Sequence, residues 1–189
     1  MNFSATVNVL RLFVNPKLCI PQTTIENFGQ LPIPIGPSIK AVVLDKDNCF
    51  AYPHTNNVWS DYERKKTWTK LKETYPGASL LIVSNSAGSS DDAGGIQATN
   101  LEQTVGVPVL RHSVKKPGCR DEILDYFAKH NITSEPHEIA VVGDRLFTDI
   151  LMANLMGSHG VWVRQGVKPP TGPLTFIERK LYKWMSPES

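Results

Sequence analysis

The chain has 189 residues, of which 41% are hydrophobic and 20% charged, a composition typical of a soluble globular protein with its own core. The formal net charge is +2 and there is no dense Lys/Arg stripe, so no nucleic-acid partner is expected. The three cysteines are widely spaced and form no CxxC pair, which argues against a disulfide framework or a zinc site.

Residues 2–15 predict a helix that is apolar over most of its circumference. Its polar positions recur at intervals of four, three and four residues, at Ser4, Asn8, Arg11 and Asn15. Such a helix must be buried, either against its own domain, against a second subunit, or in a membrane interface. No acidic residue occurs before Glu26, and an acid-free start of this kind suits a mitochondrial address.

Five prolines between positions 16 and 37 predict an irregular connector after this helix. We therefore divide the chain into an N-terminal segment, residues 1–38, and a main domain, residues 39–189. No apolar run approaches the roughly 18 residues that are needed to span a bilayer. Any association with a membrane is therefore expected to be peripheral.

From residue 39 onward, apolar strands alternate with amphipathic helices. The predicted strands are 41–44, 79–83, 107–110, 139–142 and 161–163, and the predicted helices are 60–75, 96–105, 119–130, 148–156 and 174–185. Residues 86–95 are rich in glycine, serine and aspartate, and they predict a flexible loop. The alternation indicates an α/β fold, a Rossmann-like three-layer sandwich with a central parallel sheet and helices on both faces.

Polar side chains follow the predicted strands at the point where each strand ends. They are Asp45 and Asp47, then Ser84 and Asn85, then Arg111, His112, Lys115 and Lys116, and finally Asp144 and Asp149. The carboxyl ends of parallel strands share one edge of a sheet, so these residues are expected to converge there. Carboxylates suit Mg²⁺ and cations suit a phosphate, which together favour phosphoryl transfer. Taken singly, the two aspartates are equally compatible with a solvated turn, Ser84-Asn85 is most often just a turn, and Lys115-Lys116 is most often a solvated face.

Four short motifs occur in the same order as in a known group of enzymes. They are DKDN at 45–48, SN at 84–85, KKP at 115–117 and GDRLFTD at 143–149. In this order they resemble the motifs of the haloacid dehalogenase superfamily of phosphatases, over about residues 40–165. The resemblance implies a phosphatase that uses Mg²⁺ and an aspartate nucleophile.

The same resemblance implies a role for each catalytic residue. Asp45 would be the nucleophile that forms an aspartyl-phosphate, and Asp47 would be the general acid and base. Ser84 would hydrogen-bond a phosphoryl oxygen, and Lys116 would bridge the phosphate and the nucleophile, with Lys115 as the alternative lysine.

The metal site follows from the resemblance as well. Asp45, Asp144 and the backbone carbonyl of Asp47 would ligate Mg²⁺, and Asp149 would act from the outer shell.

Most members of the superfamily carry a cap domain after the first motif or between the second and third. Here 38 residues separate Asp45 from Ser84 and 30 separate Asn85 from Lys116, which leaves no room for a folded cap. An open site suited to a large or surface-held substrate is therefore expected. One departure from the superfamily is Cys49, where threonine is common.

Several longer segments resemble the fungal mitochondrial phosphatidylglycerophosphatases more closely. These segments are 31–35, 42–49, 109–113 and 143–154. The resemblance implies hydrolysis of phosphatidylglycerophosphate, a step of cardiolipin synthesis, by a peripheral enzyme on the matrix side of the mitochondrial inner membrane. The residues expected to hold this phospholipid are Asn85, Arg111, His112, Lys115 and Arg145.

Two alternatives stay open at the level of sequence. A soluble capless phosphatase acting on a sugar, histidinol or polynucleotide phosphate would need the same motifs but no membrane. A receiver-type module would use an aspartate and Mg²⁺ without turnover, although Asp47, Lys116 and Asp149 together speak against it. A homo-oligomer is compatible with either alternative.

Overall fold

The computed structural model describes residues 15–169 and 172–185, so residues 2–14 of the predicted N-terminal helix lie outside the described residues. Within those ranges the chain forms one five-stranded sheet of order β1-β5-β4-β2-β3, in which every pairing is parallel. The strands are β1 (Thr23–Ile25), β2 (Ala41–Leu44), β3 (Leu80–Ile82), β4 (Ile139–Gly143) and β5 (His159–Val163). The predicted α/β fold with a parallel sheet is confirmed.

Helices cover both faces of this sheet. They are α1 (Ser60–Arg64), α2 (Thr67–Thr74), α3 (Ile96–Val105), α4 (Arg120–Lys129), α5 (Leu151–Met156) and α6 (Pro173–Met185). Alternate residues of β2 point to opposite faces. Val42 and Leu44 pack in the cluster that contains Leu71 of α2, whereas Val43 packs in the cluster that contains Phe127 of α4. The result is a three-layer sandwich, and none of its described helices is long and apolar enough to cross a bilayer.

One of the five predicted strands is not formed. Residues 107–110 do not form a strand but a single bridge between Val109 and Ile82, because Pro108 has no N–H with which to extend a ladder. The sheet instead gains a strand that was not predicted, β1, which lies in the predicted proline-rich connector and pairs in parallel with β5. Strand β1 is not predicted from the sequence because three residues are too few to show a periodicity.

Two predicted helices are interrupted. The stretch 60–75 forms two helices, since Lys66 adopts a left-handed conformation with φ of 58°. The stretch 148–156 begins earlier, as a π-helical turn at Leu146–Ile150 that leads into α5. In this turn the Arg145 carbonyl accepts hydrogen bonds from both Asp149 N (3.0 Å) and Ile150 N (3.3 Å). The wide turn sets the position of Asp149 relative to the end of β4.

The C-terminal helix α6 is anchored to this π-helical turn by a buried carboxyl group. Glu178 is 1% exposed, and its Oε1 accepts a hydrogen bond of 2.9 Å from Phe147 N. Burial raises the pKa of Glu178 to about 7. On the same side of α6, the Tyr182 ring lies 4.8 Å from the Trp162 ring of β5. The predicted helix 174–185 is confirmed, and it bears directly on the segment that carries Asp149.

We expect Glu178→Gln to flatten the pH dependence of thermal stability. The folded-state pKa of Glu178 is raised from 4.5 to about 7, so its favourable contribution is complete below pH 4.5 and is lost as the pH rises through 7. Glutamine keeps the acceptor for Phe147 N but cannot ionise. Melting temperatures measured from pH 4.5 to 7.5 should therefore fall less steeply in the variant than in the wild type.

The control is Glu63→Gln, because Glu63 is exposed. That variant should keep the wild-type slope. Equal slopes in Glu178→Gln and the wild type would show that the buried carboxyl group does not titrate in this range.

Candidate active site

The first part of the site follows β2. Asp45 N donates to the Val142 carbonyl of β4 at 2.9 Å, so Asp45 continues the β2–β4 ladder and stands at the carboxyl edge of the sheet. The chain then turns back on itself, with Asn48 N donating to the Ala51 carbonyl at 3.0 Å. This turn holds Asp47 near the same edge.

Asp47 is oriented by two donors from its own loop. Its Oδ1 accepts from Lys46 Nζ at 2.6 Å and from His54 N at 2.7 Å. Lys46 is buried and also donates to the Thr55 carbonyl at 3.0 Å. The carboxyl group of Asp47 is therefore fixed by groups that the sequence analysis did not assign to the site.

Lys116 lies between two carboxylates and is almost fully buried. Its Nζ is 2.5 Å from Asp45 Oδ1 and 2.7 Å from Asp149 Oδ1, and the residue is 2% exposed. Burial alone would lower the pKa of Lys116, but Asp149 and Asp45 raise it overall, so the side chain stays charged. Asn85 Oδ1 accepts from Lys116 N at 2.8 Å and fixes the backbone of this segment.

Three carboxylates converge beside Lys116. Asp45, Asp144 and Asp149 each offer an oxygen atom, and these atoms all lie within 4.8 Å of one another. Burial raises the pKa of Asp45 to about 6. Burial, together with repulsion from Asp45 and Asp149, raises the pKa of Asp144 well above its ordinary value. One lysine cannot neutralise three ionised carboxylates, so in the absence of another cation the ionised forms of Asp45 and Asp144 are disfavoured.

This group fits Mg²⁺. Asp144 Oδ1 is buried and has no hydrogen-bond partner among residues 15–169 and 172–185, while Asp144 Oδ2 accepts from Asn48 Nδ2 at 3.0 Å. A buried acceptor left without a donor is costly unless something else satisfies it. An all-oxygen donor set with excess negative charge is what Mg²⁺ prefers in proteins. The Asp47 carboxylate is not a member of this group.

Asp149 owes its position to a close approach between the π-helical turn and β4. Its Oδ2 accepts from Arg145 N at 3.2 Å. A Cβ atom placed on Gly143 would lie 2.3 Å from Asp149 Cγ, so the carboxyl group packs directly against bare backbone. Glycine is required at position 143 because of this contact.

Ser84 follows β3 and is supported from behind by His112. Ser84 Oγ lies 3.0 Å from Ser86 Oγ, at the surface of the cavity. The Ser84 carbonyl lies 2.9 Å from His112 Nε2, and the Val114 carbonyl lies 2.9 Å from His112 Nδ1. His112 is thus buried and holds the backbone of Ser84 rather than facing the cavity.

These residues surround a cavity of about 510 Å³. Of the predicted site residues, it is lined by Asp45, Asp47, Ser84, Asn85, Lys116, Asp144 and Arg145. The structure adds Asn48, His54, Ser86, Thr148, Lys168 and Thr175. Lys168 and Thr175 come after β5, where no motif marked a strand end. Asn48 stood in the DKDN motif, and its Oδ1 accepts from Lys168 N at 3.0 Å.

The structure does not bring Arg111, His112 and Lys115 to this cavity. The guanidinium group of Arg111 pairs with both carboxylate oxygens of Glu102 on α3. Lys115 pairs with Asp91. The prediction relied on their place after a strand, but each side chain turns toward a partner elsewhere.

The loop at 86–95 is organised by Asp92 rather than left irregular. The carboxylate of Asp92 accepts hydrogen bonds of 2.9 Å from Gly88 N, Gln97 N and Ala98 N. The last two belong to the first turn of α3, whose N–H groups have no partner within the helix. Asp92 therefore joins this loop to α3 beside Ser84 and Ser86.

Comparison with known proteins gives one family. The family described as mitochondrial PGP phosphatase matches residues 3–168. The mitochondrial phosphatidylglycerophosphatase of Saccharomyces cerevisiae is 57% identical over 185 residues, which cover 98% of this chain and 99% of that protein.

Two more relatives carry similar names. The probable mitochondrial phosphatidylglycerophosphatase of Schizosaccharomyces pombe is 36% identical over 180 residues, covering 89% of this chain and 85% of that protein. A phosphatidylglycerophosphate phosphatase of Arabidopsis thaliana, named chloroplastic and mitochondrial, is 38% identical over 120 residues, covering 62% of this chain and 32% of that protein. No solved structure matches the chain.

We expect Gly143→Ala to impair phosphatase activity by displacing Asp149. The added methyl group would meet the Asp149 side chain at 2.3 Å, and a shift of about 1 Å at a catalytic group costs roughly a hundredfold in rate. Phosphate release and melting temperature are measured side by side. The matched control is Gly36→Ala, whose Cβ would make an ordinary contact of 3.5 Å with Ile39 and should leave activity unchanged. Wild-type activity in Gly143→Ala would contradict this account of position 143.

Proposed function

Since the chain belongs to the mitochondrial PGP phosphatase family and is thus a phosphoric monoester hydrolase, we propose that it hydrolyses phosphatidylglycerophosphate to phosphatidylglycerol and phosphate. The names of the Saccharomyces and Schizosaccharomyces relatives support this substrate. The observation that carries the mechanism is the buried contact of Lys116 with Asp45 and Asp149, beside Asp144. It joins a carboxylate nucleophile to a cation at the base of a cavity.

In this proposal Mg²⁺ is the cofactor, held by Asp45, Asp144 and the backbone carbonyl of Asp47, with Asp149 in the outer shell. The ion, when bound, would screen the negative charge of the phosphate and of the carboxylates. The unpaired buried oxygen of Asp144 and the raised pKa of Asp45 both support a cation here.

The chain's own residues carry the two chemical steps. A carboxylate oxygen of Asp45 attacks phosphorus, the P–O bond to the glycerol oxygen breaks, and Asp47 gives its proton to that leaving oxygen. Asp47 then takes a proton from a water molecule, which attacks phosphorus and breaks the aspartyl-phosphate bond. Phosphate leaves, and both carboxyl groups return to their starting state.

Lys116 and Ser84 act on the phosphoryl group throughout. The ammonium group of Lys116 offsets the charge that the phosphate adds next to Asp45, and the hydroxyl of Ser84 donates to a phosphoryl oxygen. The second phosphate of the lipid is held by Arg145 and Lys168, with Asn85 nearby, since these line the same cavity. Arg111, His112 and Lys115 are replaced in this role because they face other partners.

The setting of the reaction is proposed from the same resemblance. Relatives named mitochondrial support a mitochondrial location. We place the protein at the matrix side of the inner membrane, as a peripheral enzyme of cardiolipin synthesis. Residues 1–38 contribute to membrane association or packing in this proposal, and a homo-oligomer is compatible with it.

The first test is phosphate release from phosphatidylglycerophosphate in detergent micelles. It is compared with sugar, histidinol and polynucleotide phosphates, each with Mg²⁺ and after chelation with EDTA. We expect a strong preference for the lipid and loss of turnover on chelation, restored by added Mg²⁺. Preference for a soluble ester would reject the substrate but keep the mechanism, and turnover insensitive to EDTA would reject the cofactor.

Substitutions separate the two aspartates of the DKDN motif. Asp45→Asn should abolish turnover, since an amide is a poor nucleophile. Asp47→Asn should lower kcat by about 10²–10⁴, which is the usual contribution of general acid–base catalysis. The control Asp125→Asn changes an exposed carboxylate on α4 and should keep wild-type rates. Substantial turnover by folded Asp45→Asn would mean that another group attacks phosphorus.

A further inference from the structure

The outward face of α6 combines large exposed apolar side chains with lysines. Phe176, Ile177 and Trp184 are 60%, 54% and 74% exposed. Lys180 and Lys183 lie among them, and Lys180 Nζ is 4.9 Å from the centroid of the Phe176 ring. At 100° per residue these five side chains fall within an arc of about 120°. We call these five residues the α6 outer face.

The charge of this helix is divided between its two sides. Glu178 is the one acidic residue of α6, and it is buried against Phe147. The α6 outer face therefore presents cations but no anion. Beside it lies a second cavity, of about 340 Å³, whose lining includes Arg164, Arg179 and Lys183.

That second cavity strengthens the positive character of this side of the molecule. Of the three cationic side chains that line this cavity, Arg164 is balanced by an ion pair with Glu26. Arg179 donates to the Arg164 carbonyl at 2.5 Å, and its buried Nε has no hydrogen-bond partner within the described part of the chain. Positive charge thus remains in excess next to the exposed aromatic groups.

The α6 outer face begins at the mouth of the active-site cavity. Gly172 and Thr175, at the start of α6, line that cavity. Tyr52, which precedes the lining residue Pro53, is 43% exposed, and the Nζ of the lining residue Lys168 lies 5.3 Å from the centroid of its ring. Two exposed rings with adjacent lysines, Tyr52 and Phe176, are therefore each next in sequence to a residue that lines the cavity.

We propose that the α6 outer face docks this protein onto an anionic phospholipid bilayer, with the active-site cavity at the lipid surface. Aromatic and aliphatic groups enter the boundary between headgroups and acyl chains, while lysines meet anionic headgroups. This inference rests on the proposed function, since only a lipid substrate requires the cavity to reach a bilayer.

Two other occupants fit this surface less well. The N-terminal segment has no acidic residue before Glu26, so it offers no partner for Lys180 and Lys183. A second copy, packed face to face by two-fold symmetry, would place lysines against lysines. An anionic bilayer satisfies the apolar groups and the cations at once.

The test measures flotation of the full-length protein with vesicles of phosphatidylcholine, with and without phosphatidylglycerol. Binding should require the anionic lipid and should weaken as salt is raised. We expect Phe176→Ser with Trp184→Ser to weaken binding roughly tenfold or more. Lys180→Glu with Lys183→Glu should weaken it by at least about fivefold for each lysine.

Matched controls change equally exposed residues elsewhere. Ile96→Ser removes an apolar side chain that is 64% exposed on α3, and Lys70→Glu reverses an exposed lysine on α2. Both should bind like the wild type. A direct signal is the blue shift of tryptophan emission on adding vesicles, which should be present in the wild type and largely lost in Trp184→Phe.

Three results would overturn the inference. The α6 variants would bind like the wild type, or the two controls would lose as much binding, or the α6 variants would change the oligomeric mass without vesicles. Deleting residues 2–14 tests whether the N-terminal segment is the membrane anchor instead. If this deletion abolishes vesicle binding while the α6 variants bind like the wild type, the anchor is the N-terminal segment and not the α6 outer face.

Failure of the docking surface is distinguishable from failure of the proposed function. Turnover in detergent micelles needs the active site but no bilayer, so the α6 variants should keep wild-type rates there. Vesicle binding without substrate needs no catalysis. If the wild type binds vesicles but does not turn over the lipid in micelles, the proposed function is rejected. If it turns over the lipid in micelles but does not bind anionic vesicles, the docking surface is rejected.

Discussion

The structure depends on one buried ammonium group. Lys116 contacts Asp45 from the end of β2 and Asp149 from the π-helical turn after β4, so three remote segments must meet at one point. Removing charged groups from water is expensive, and only good geometry compensates for it. Loss of either carboxylate would leave an unbalanced charge in the interior. The contacts that hold the carboxyl edge of the sheet together are therefore also the contacts that form the site.

The same arrangement leaves the buried carboxylates without enough positive charge and hydrogen-bond donors. Asp144 adds a third carboxylate, and Asn48 satisfies one of its oxygens while the other has no donor among the residues that the structure describes. A chain selected for stability alone would not bury three carboxylates around one lysine. Such conflicts between local energetics and fold are typical of functional sites. Here the conflict has the sign and the donor chemistry that a divalent cation would relieve.

Sequence reasoning was accurate where backbone position decides where a side chain lies. Asp45, Ser84 and Asp144 follow strands directly, and parallel strands deliver their ends to one edge. Sequence position does not determine the direction of a side chain. Arg111 follows the segment that bridges to β3, but its guanidinium group pairs with Glu102 and does not line the cavity.

The remaining omissions have different causes. Lys168 lies in the cavity because Asn48 binds its backbone across 120 residues of sequence, a contact that no local pattern reveals. Thr23–Ile25 pairs with β5 at the edge of the sheet, and its partner is equally remote in the sequence. Tertiary contacts of this kind determine structure without leaving a periodic signal. The convergence of Asp45, Asp144 and Lys116 was thus readable from sequence, and the neighbours that complete the cavity were not.

The C-terminal helix α6 connects the candidate active site to the proposed docking surface. Glu178 faces inward to cap Phe147 within the turn that carries Asp149, and this fixes which side of α6 must face outward. The outward side then carries Phe176, Lys180 and Trp184 in successive turns, beginning where Thr175 lines the cavity. One buried carboxyl group therefore sets the rotation of α6 and supports the π-helical turn that carries Asp149. In the proposed function the substrate lies in a bilayer, and the proposed docking surface and the turn that holds Asp149 are then joined through a single helix, α6.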